Sequence, residues 1–308
     1  MYSQLILKRF FCNSNSLFAA EKSLLATLRK KTGYTFSNCK KALELNNNDL
    51  TKAESWLHEQ AQALGWSKAT KLEGRKTNQG LVAATVQNQN AVLVEINCET
   101  DFVARNTNFQ EMAEAAARAC IEFSKKYALG ENPLIKIDLE SRQLNELPTA
   151  DGKLLSDQLA LMIGLVGENA SLKRGICFKA AEQIHLSVYT HPYGNERNGI
   201  LLGKFGGVVA FRQIRPSGVD IKKLGKDLCQ HIVGMNPDRI GTVFDKPAGN
   251  TDDEKCLIYQ EFLLDSEWTV GDLLKENGIE IIDFKRFECG ETDKRIEEDT
   301  PEKITTCQ

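Results

Sequence analysis

The sequence lacks the motifs by which most catalytic and nucleotide-binding chains are recognised. It has no G-x-x-x-x-G-K-[ST] or G-x-G-x-x-G phosphate loop, no His-Glu-x-x-His metal motif and no Gly-x-Ser-x-Gly nucleophile elbow. Its four histidines, His58, His185, His191 and His231, show no metal-ligand spacing and are interpreted as surface or structural residues. The sequence therefore predicts no catalytic site, no cofactor and no bound metal, and it favours a binding protein over an enzyme.

Other absences exclude further classes of protein. No apolar run approaches the ~20 residues that span a bilayer, so no membrane segment is predicted. The isoelectric point of about 5.9 disfavours a nucleic-acid-binding protein, which would carry a basic face. The nine cysteines are odd in number and widely spaced, without a Cys-x-x-Cys pair. They predict small buried side chains in a reducing compartment rather than disulfides.

The two ends of the chain differ in charge. Residues 1–20 contain Lys8 and Arg9 but no acid, a composition typical of a mitochondrial presequence. A secretory signal and an ordinary disordered terminus are the alternatives. Residues 291–308 contain six acids and three bases without hydrophobic periodicity, which predicts a disordered acidic tail.

Residues 21–66 predict a module of three short helices. The first covers residues 21–31, the second starts with Ser37 as its N-cap, and the third is capped by Asn48 or Asn47. So small a unit buries little surface and is expected to be independent of the rest. Residues 67–79 are polar and basic, which indicates a linker or a frayed helix.

A hairpin followed by a helix is predicted twice. Residues 80–97 form the first hairpin, and Thr107 with Gln110 has the capping-box spacing that opens a helix. Strands within 184–211 and a helix after residue 220 repeat this order. Each helix has an apolar stripe, and corresponding positions of the two stripes are 112 residues apart. The first stripe is Phe109, Met112, Ala113, Ala116, Ala117, Cys120 and Ile121, and the second is Ile221, Leu224, Gly225, Leu228, Cys229, Ile232 and Val233. The fold class predicted is α+β, with two similar core subdomains, 80–182 and 183–290, each of antiparallel sheet with helices.

The loop between the first hairpin and its helix is the candidate functional segment. Residues 97–106 read NCETDFVARN, and Asp101 places a carboxylate beside the apolar Phe102. Loops at such junctions commonly present functional groups from a rigid scaffold. In the alternative interpretation, Phe102 and Val103 plug the core and Asp101 caps a turn.

Four blocks of sequence carry a resemblance to a known family. They are LRKKTGYTFSNCKKAL (28–43), NCETDFVARNTNF (97–109), VGENASLKRG (166–175) and DLLKENGIEIIDFKRFECGE (272–291). In this order they closely resemble elongation factor Ts, over roughly residues 21–290. Together with the presequence, they are similar to the mitochondrial branch of that family.

The resemblance implies a function and a partner. Members of the family bind elongation factor Tu and eject its GDP, and they join a ubiquitin-associated-like helical module to a core of two α+β subdomains. By position, Thr100, Asp101, Phe102 and Val103 would dislodge the partner's magnesium, with Phe102 as a wedge and Asp101 at the magnesium site. Phe36 and Ser37 would touch the same partner domain, and His191 would face another one.

One departure from the bacterial pattern bears on assembly. Bacterial relatives carry a long helical hairpin before the last strand, whereas residues 236–268 are short and broken by Pro237, Pro247 and Gly249. We therefore expect a one-to-one complex with elongation factor Tu in the mitochondrial matrix, without direct nucleotide, nucleic-acid or membrane binding.

Two alternative functions remain open from the sequence. One is a ubiquitin- or helix-binding adaptor that acts through the turn at residues 33–34, and the other is an enzyme with an unrecognised site between the halves.

Overall fold

The computed structural model describes the main chain of residues 15–32, 34, 36–192 and 194–291, and the side chains of all of these except 15–23 and 252. The predicted acidic tail lies outside the described residues beyond residue 291, as does most of the predicted presequence. The chain divides into two compact units, Met1–Leu64 and Gly65–Gln308.

The N-terminal unit contains three helices, as predicted. These are α1 (Asn15–Thr32), α2 (Phe36–Leu45) and α3 (Leu50–Leu72), the last of which continues into the second unit. Helix α1 begins within the predicted presequence, earlier than expected. The buried side chains of this unit are Leu28, Cys39, Ala42, Leu43, Ala53 and Leu57.

Two predicted helix caps in this unit are wrong. Helix α2 begins at Phe36, so Ser37 lies inside its first turn rather than before it. Asn47 and Asn48 adopt left-handed φ angles of 52° and 61° and form the turn that precedes α3. A capping residue needs an extended backbone, and the carboxylate of Asp49 instead accepts from the amides of Thr51 and Lys52 at 3.0 and 3.1 Å.

The predicted linker at 67–79 is helical as far as Leu72, so the first part of the segment matches the alternative of a helix end. Trp66 Nε1 donates to Asp157 Oδ1 at 3.3 Å, and Lys68 Nζ donates to the carbonyl of Gly164 at 2.7 Å. Both bonds lie within the second unit, to which residues 65–72 of α3 belong.

The second unit is built from antiparallel strands and the helices that cover them. Its helices are α4 (Asp101–Ala104), α5 (Thr107–Lys125), α6 (Ser141–Asn145), α7 (Leu155–Val166), α8 (Ile221–Met235) and α9 (Val270–Asn277). Its strands are β1 (Gln79–Gln87), β2 (Asn90–Cys98), β3 (Leu134–Glu140), β4 (Ala170–Ala180), β5 (His185–His191), β6 (Glu196–Arg197), β7 (Ile200–Gly203), β8 (Phe205–Gln213), β9 (Glu261–Phe262), β10 (Asp265–Thr269) and β11 (Ile279–Glu288).

These strands form a large and a small sheet that pack face to face, with helices outside each. The large sheet has the order β3-β4-β2-β1-β7-β6, the small one β11-β8-β5, and β9 and β10 pair separately. Val82, Leu93 and Phe178 of the large sheet pack with Val208 and Ala210 of the small sheet. Both helical stripes face the sheets and, apart from the half-buried Ile221, are buried, as predicted. The predicted α+β class is confirmed.

The second hairpin differs from the first in one respect. Strand β7 leaves β5 and β8 and pairs with β1, so that Ala83 lies opposite Leu202 in the large sheet. Asn198 and Gly199 turn the chain into β7 with φ angles of 50° and 81°. The Thr85 hydroxyl donates to the carbonyl of Gly199 at 2.9 Å, which fixes this turn against β1.

Two further predictions concern helices. The predicted capping box at Thr107 is wrong, because the cap lies one residue earlier, at Asn106, which has an extended backbone and accepts from the amide of Asn108 at 2.9 Å. No long helical hairpin occupies residues 236–268, a range described throughout except for the side chain of residue 252. That segment holds two short 3-10 turns, Thr251–Asp253 and Leu257–Tyr259, and strand β9 with most of β10. The expected absence of the hairpin is confirmed.

Candidate functional site

The site is a one-turn helix, α4, that follows directly on the central strand β2. Thr100 caps it with an extended backbone, and its hydroxyl accepts from the amide of Val103 at 3.4 Å. A helix of four residues has almost no intrinsic stability. Its geometry must therefore be held by the side chains that pack below it and by bonds from neighbouring segments.

Side chains of α4 divide sharply between core and solvent. Val103 and Ala104 are buried in the cluster between the large sheet and α5. Phe102 is 78% exposed. The alternative interpretation therefore holds for Val103 alone, which does plug the core, and it is wrong for Phe102.

Glu168, just after the end of α7, binds the start of the helix. Its two carboxylate oxygens accept from the backbone amide of Thr100 at 3.1 Å and from the Thr100 hydroxyl at 2.9 Å. Gly167 ends α7 in the left-handed region, with φ of 78°, and turns the chain so that Glu168 follows. The helix cap is thus held from a segment distant in sequence.

A second carboxylate makes the reciprocal bond. Glu99 accepts from the backbone amide of Asn169 at 2.7 Å, and the Asn169 side-chain amide donates to the carbonyl of Arg75 at 2.9 Å. The Arg75 guanidinium lies 3.5 Å from Glu99. The loops 99–100 and 168–169 therefore hold each other, each through a glutamate; we call this pair of contacts the glutamate clasp.

Asp101 does not cap a turn with its side chain. Its carboxylate accepts from Arg105 at 2.8 Å, and both side chains are half or more exposed. Exposed ion pairs of this kind contribute ~0–1 kcal/mol. The Asp101 carboxylate is thus available to another cation at little cost.

An open cleft of about 720 Å³ lies beside α4. Thr100, Asp101 and Phe102 line one side of it, and Pro192 and Lys204 line another. His191 itself is exposed, and its carbonyl accepts from the amide of Lys204 at 2.7 Å. The structure thus places His191 next in sequence to a wall of the cleft that α4 borders.

The remaining two predicted contact residues lie in the N-terminal unit. Phe36, 55% exposed, and Ser37 occupy the first turn of α2. Phe36 is thus, like Phe102, a large apolar side chain exposed in the first turn of a helix.

The buried titratable groups are consistent with a structural role. Burial raises the pKa of Cys98 to about 12, and its thiol donates to the carbonyl of Thr100 at 3.1 Å. The seven cysteines of the described residues are free and buried, as predicted, while Cys12 and Cys307 lie outside. Among those residues, no group of three or more potential ligands that could hold a metal is found, and no helix is long and apolar enough to cross a membrane.

Sequence reasoning missed the residues that support α4. Glu168 and Asn169 belong to the VGENASLKRG block that marks the family resemblance, but nothing in their spacing connects them with residues 99–100. Only the pairing of β2 with β4, which places Cys98 opposite Ala170, brings the two loops together.

Comparison with known proteins agrees with this architecture. A family model described as "Elongation factor Ts, mitochondrial, N-terminal" matches residues 8–67, and one described as "Elongation factor TS" matches residues 99–243. The chain is 54% identical over 283 residues to "Elongation factor Ts, mitochondrial" of Aedes aegypti, covering 91% of both chains. It is 47% identical to the protein of that name from Drosophila melanogaster, covering 94% of this chain and 91% of the other. For the Homo sapiens protein the identity is 40%, over 92% and 87% of the two chains.

These matches show that the chain belongs to the elongation factor Ts family, and it is therefore a translation elongation factor. The three relatives named above, which are similar to it over most of its length, are all described as mitochondrial.

Proposed function

We propose that this chain is a guanine-nucleotide exchange factor that binds mitochondrial elongation factor Tu in its GDP form and promotes release of the GDP. The observation that supports this most directly is the exposure of Phe102 at 78% on a helix whose base is buried. A large aromatic side chain held in water by a fixed scaffold is typical of an anchor that is buried only in a complex.

The exchange rests on thermodynamic linkage. A protein speeds nucleotide release only if it binds the nucleotide-free partner more tightly than the loaded one, and the two affinities are reduced by the same factor when both ligands are present. Magnesium and backbone amides hold the phosphates of a bound nucleotide. Phe102 inserted beside such a site supplies apolar binding energy while it displaces groups that coordinate the magnesium.

Asp101 acts in the same step by a different interaction. In the free protein its carboxylate is paired with Arg105 at 2.8 Å. Since that pair is exposed and weak, Asp101 exchanges Arg105 for groups at the partner's magnesium site. Loss of Asp101 thus affects the rate of release more than the strength of the complex.

Further contacts extend the interface. Phe36 and Ser37 touch the same partner domain from the helical module, and His191 faces another domain. The complex contains one copy of each protein, and this chain binds no nucleotide itself and is not an enzyme. It works in the mitochondrial matrix after residues 1 to about 20 are removed, which an intact N-terminus on protein isolated from mitochondria would disprove.

The decisive experiment measures release of a fluorescent GDP from mitochondrial elongation factor Tu by stopped flow, with and without the full chain. We expect release to accelerate and to saturate with the concentration of this protein. An unchanged release rate contradicts the proposal. Calorimetry with GDP or GTP and this chain alone is the companion measurement, and saturable binding there would mean that the chain holds nucleotide itself.

A further inference from the structure

Helix α4, which carries Phe102, is held by a loop that is distant in sequence and contains Glu168 and Asn169. Helix α4 is one turn long and ends at Ala104, and the amide of the following residue, Arg105, donates to the carbonyls of Asp101 and Val103. The burial of Val103 and Ala104 fixes the base of the helix, while its N-terminal cap, Thr100, is held separately by the Cys98 thiol and by Glu168. The orientation of Phe102 therefore depends on what holds the N-terminal cap.

Glu168 holds that cap at two points. One carboxylate accepts from both the amide and the hydroxyl of Thr100, at 3.1 and 2.9 Å. The hydroxyl, once it donates to Glu168, directs a lone pair toward the amide of Val103 at 3.4 Å. Because hydrogen bonds to a charged group are stronger than neutral ones, this carboxylate sets both the position of Thr100 and the capping geometry.

The loop that carries Glu168 is itself fixed by the other contact of the glutamate clasp, the one that Glu99 makes. Glu99 accepts from the amide of Asn169 at 2.7 Å, so the two loops cannot move apart without breaking bonds in both directions. Glu168 and Glu99 are each partly buried, which shields these bonds from water. Glu99 lines the open cleft beside α4, whereas Glu168 is not among the residues that line it.

We propose that Glu168 is a positioning residue for exchange: its carboxylate, through Thr100, fixes the direction in which Phe102 projects. This inference rests on the proposed exchange function. An aromatic wedge that is already oriented binds without the loss of side-chain and loop freedom that a mobile one would suffer. Glu168 thus contributes to the rate of GDP release without touching the partner.

The test compares Glu168→Ala and Glu168→Gln with Phe102→Ala, the double variant, and Glu182→Ala as a matched control on an exposed turn. Stopped-flow GDP release gives the maximal rate and the half-saturating concentration separately, at a temperature where melting curves show every variant folded. We expect Glu168→Ala to lower the maximal rate about tenfold. Glu168→Gln, which keeps one acceptor oxygen, should retain most of the rate, and Glu182→Ala all of it.

The double variant separates positioning from a general loss of structure. If Glu168 acts through Phe102, Glu168→Ala adds no further loss once Phe102 is alanine. If the double variant instead loses rate by the product of the two single losses, the inference is overturned. A wild-type maximal rate in Glu168→Ala would overturn it too.

A readout that needs no partner distinguishes failure of this inference from failure of the exchange function. Hydrogen–deuterium exchange over residues 99–106 should speed up in Glu168→Ala and remain unchanged in Glu182→Ala. If protection there does not change, the clasp does not hold α4 and the inference fails, whatever the exchange assay shows. If protection is lost but even the wild-type chain leaves GDP release unchanged, the exchange function fails, and with it the role assigned to Glu168.

Discussion

At the scale of single residues, Phe102 and Phe109 form a natural comparison, because they lie on the consecutive helices α4 and α5. Phe109 is fully buried in the core against the large sheet, whereas Phe102 is 78% exposed. The same substitution at these two positions therefore tests two different properties of the molecule.

We predict that Phe102→Ala leaves the melting temperature nearly unchanged while it slows GDP release markedly. Phe109→Ala, the matched control, should cost about 3–5 kcal/mol of unfolding free energy because it leaves a cavity in the core. Melting curves and stopped-flow release for both variants check this. A Phe102→Ala protein that melts far lower, yet exchanges normally when folded, would end the wedge hypothesis.

Asp101→Ala gives a different profile. We expect slower GDP release with little loss of affinity for the partner, because in the proposed function the carboxylate acts at the magnesium site rather than as an anchor. Its pair with Arg105 is exposed, so folding stability should change by less than about 1 kcal/mol. Calorimetry of complex formation beside the release rate provides the measurement, and a loss of affinity as large as the loss of rate would contradict the assigned role.

Residue patterns in the sequence indicate where this loop lies but not how it is held. The segment 97–106 was predicted from its place between a strand and a helix, and the family resemblance selected Phe102. The exposure of Phe102 could not be predicted from the hydrophobic pattern, since Phe102 and Val103 are neighbouring apolar residues and only Val103 is buried. Glu168 escaped prediction because its bond to Thr100 depends on strand pairing across a long stretch of chain.

At the scale of elements, His231 connects helix α8 to the segment around β9. Its Nδ1 accepts from the amide of Leu263 at 3.1 Å, so the ring proton lies on Nε2, 3.0 Å from Gln260 Oε1. Gln260 in turn donates to the carbonyls of Met235 and Glu254. Burial lowers the pKa of His231 to about 4, and a proton added at Nδ1 would face the N–H of Leu263.

This contact predicts a pH dependence of stability. The unfolded histidine, with a pKa near 6.5, takes up a proton in the window from about pH 6.5 to pH 4, whereas the folded one stays neutral. Stability is therefore complete above that window and falls as the pH falls through it, by about 2 kcal/mol at pH 5. Urea unfolding at pH 7 and pH 5, compared between the wild type and His231→Gln, isolates this contribution. An equal loss in both proteins would show that His231 is not its source.

Helix and strand identities were predictable from periodicity, but caps and sheet membership were not. The helical stripes on α5 and α8 and the strand β11 follow from spacing alone. Neighbouring Asn, Asp, Ser and Thr compete for each cap, and local backbone geometry selects Asp49 and Asn106. The pairing of β7 with β1 is a tertiary contact, and the sequence of β7 does not specify which sheet it joins.

At the scale of the whole molecule, residues 236–268 form short turns and most of a small two-stranded sheet in place of a helical hairpin. We predict that the purified chain is a monomer, since the element on which dimerisation of bacterial relatives would depend is missing. Light scattering at micromolar concentration gives the mass. A stable dimer there would show that another surface pairs two copies.

The pairing of strand β7 also determines whether the chain can be cut into two fragments that each fold. Its pairing with β1 means that a fragment ending at residue 182 would leave the backbone of Val82–Ala84 without a partner at an open sheet edge, a known route to aggregation. The reverse fragment would leave β7 with nothing to extend. Although the sequence pattern predicts two similar halves, they share one sheet, and we expect a chain divided between them to leave both halves incompletely folded.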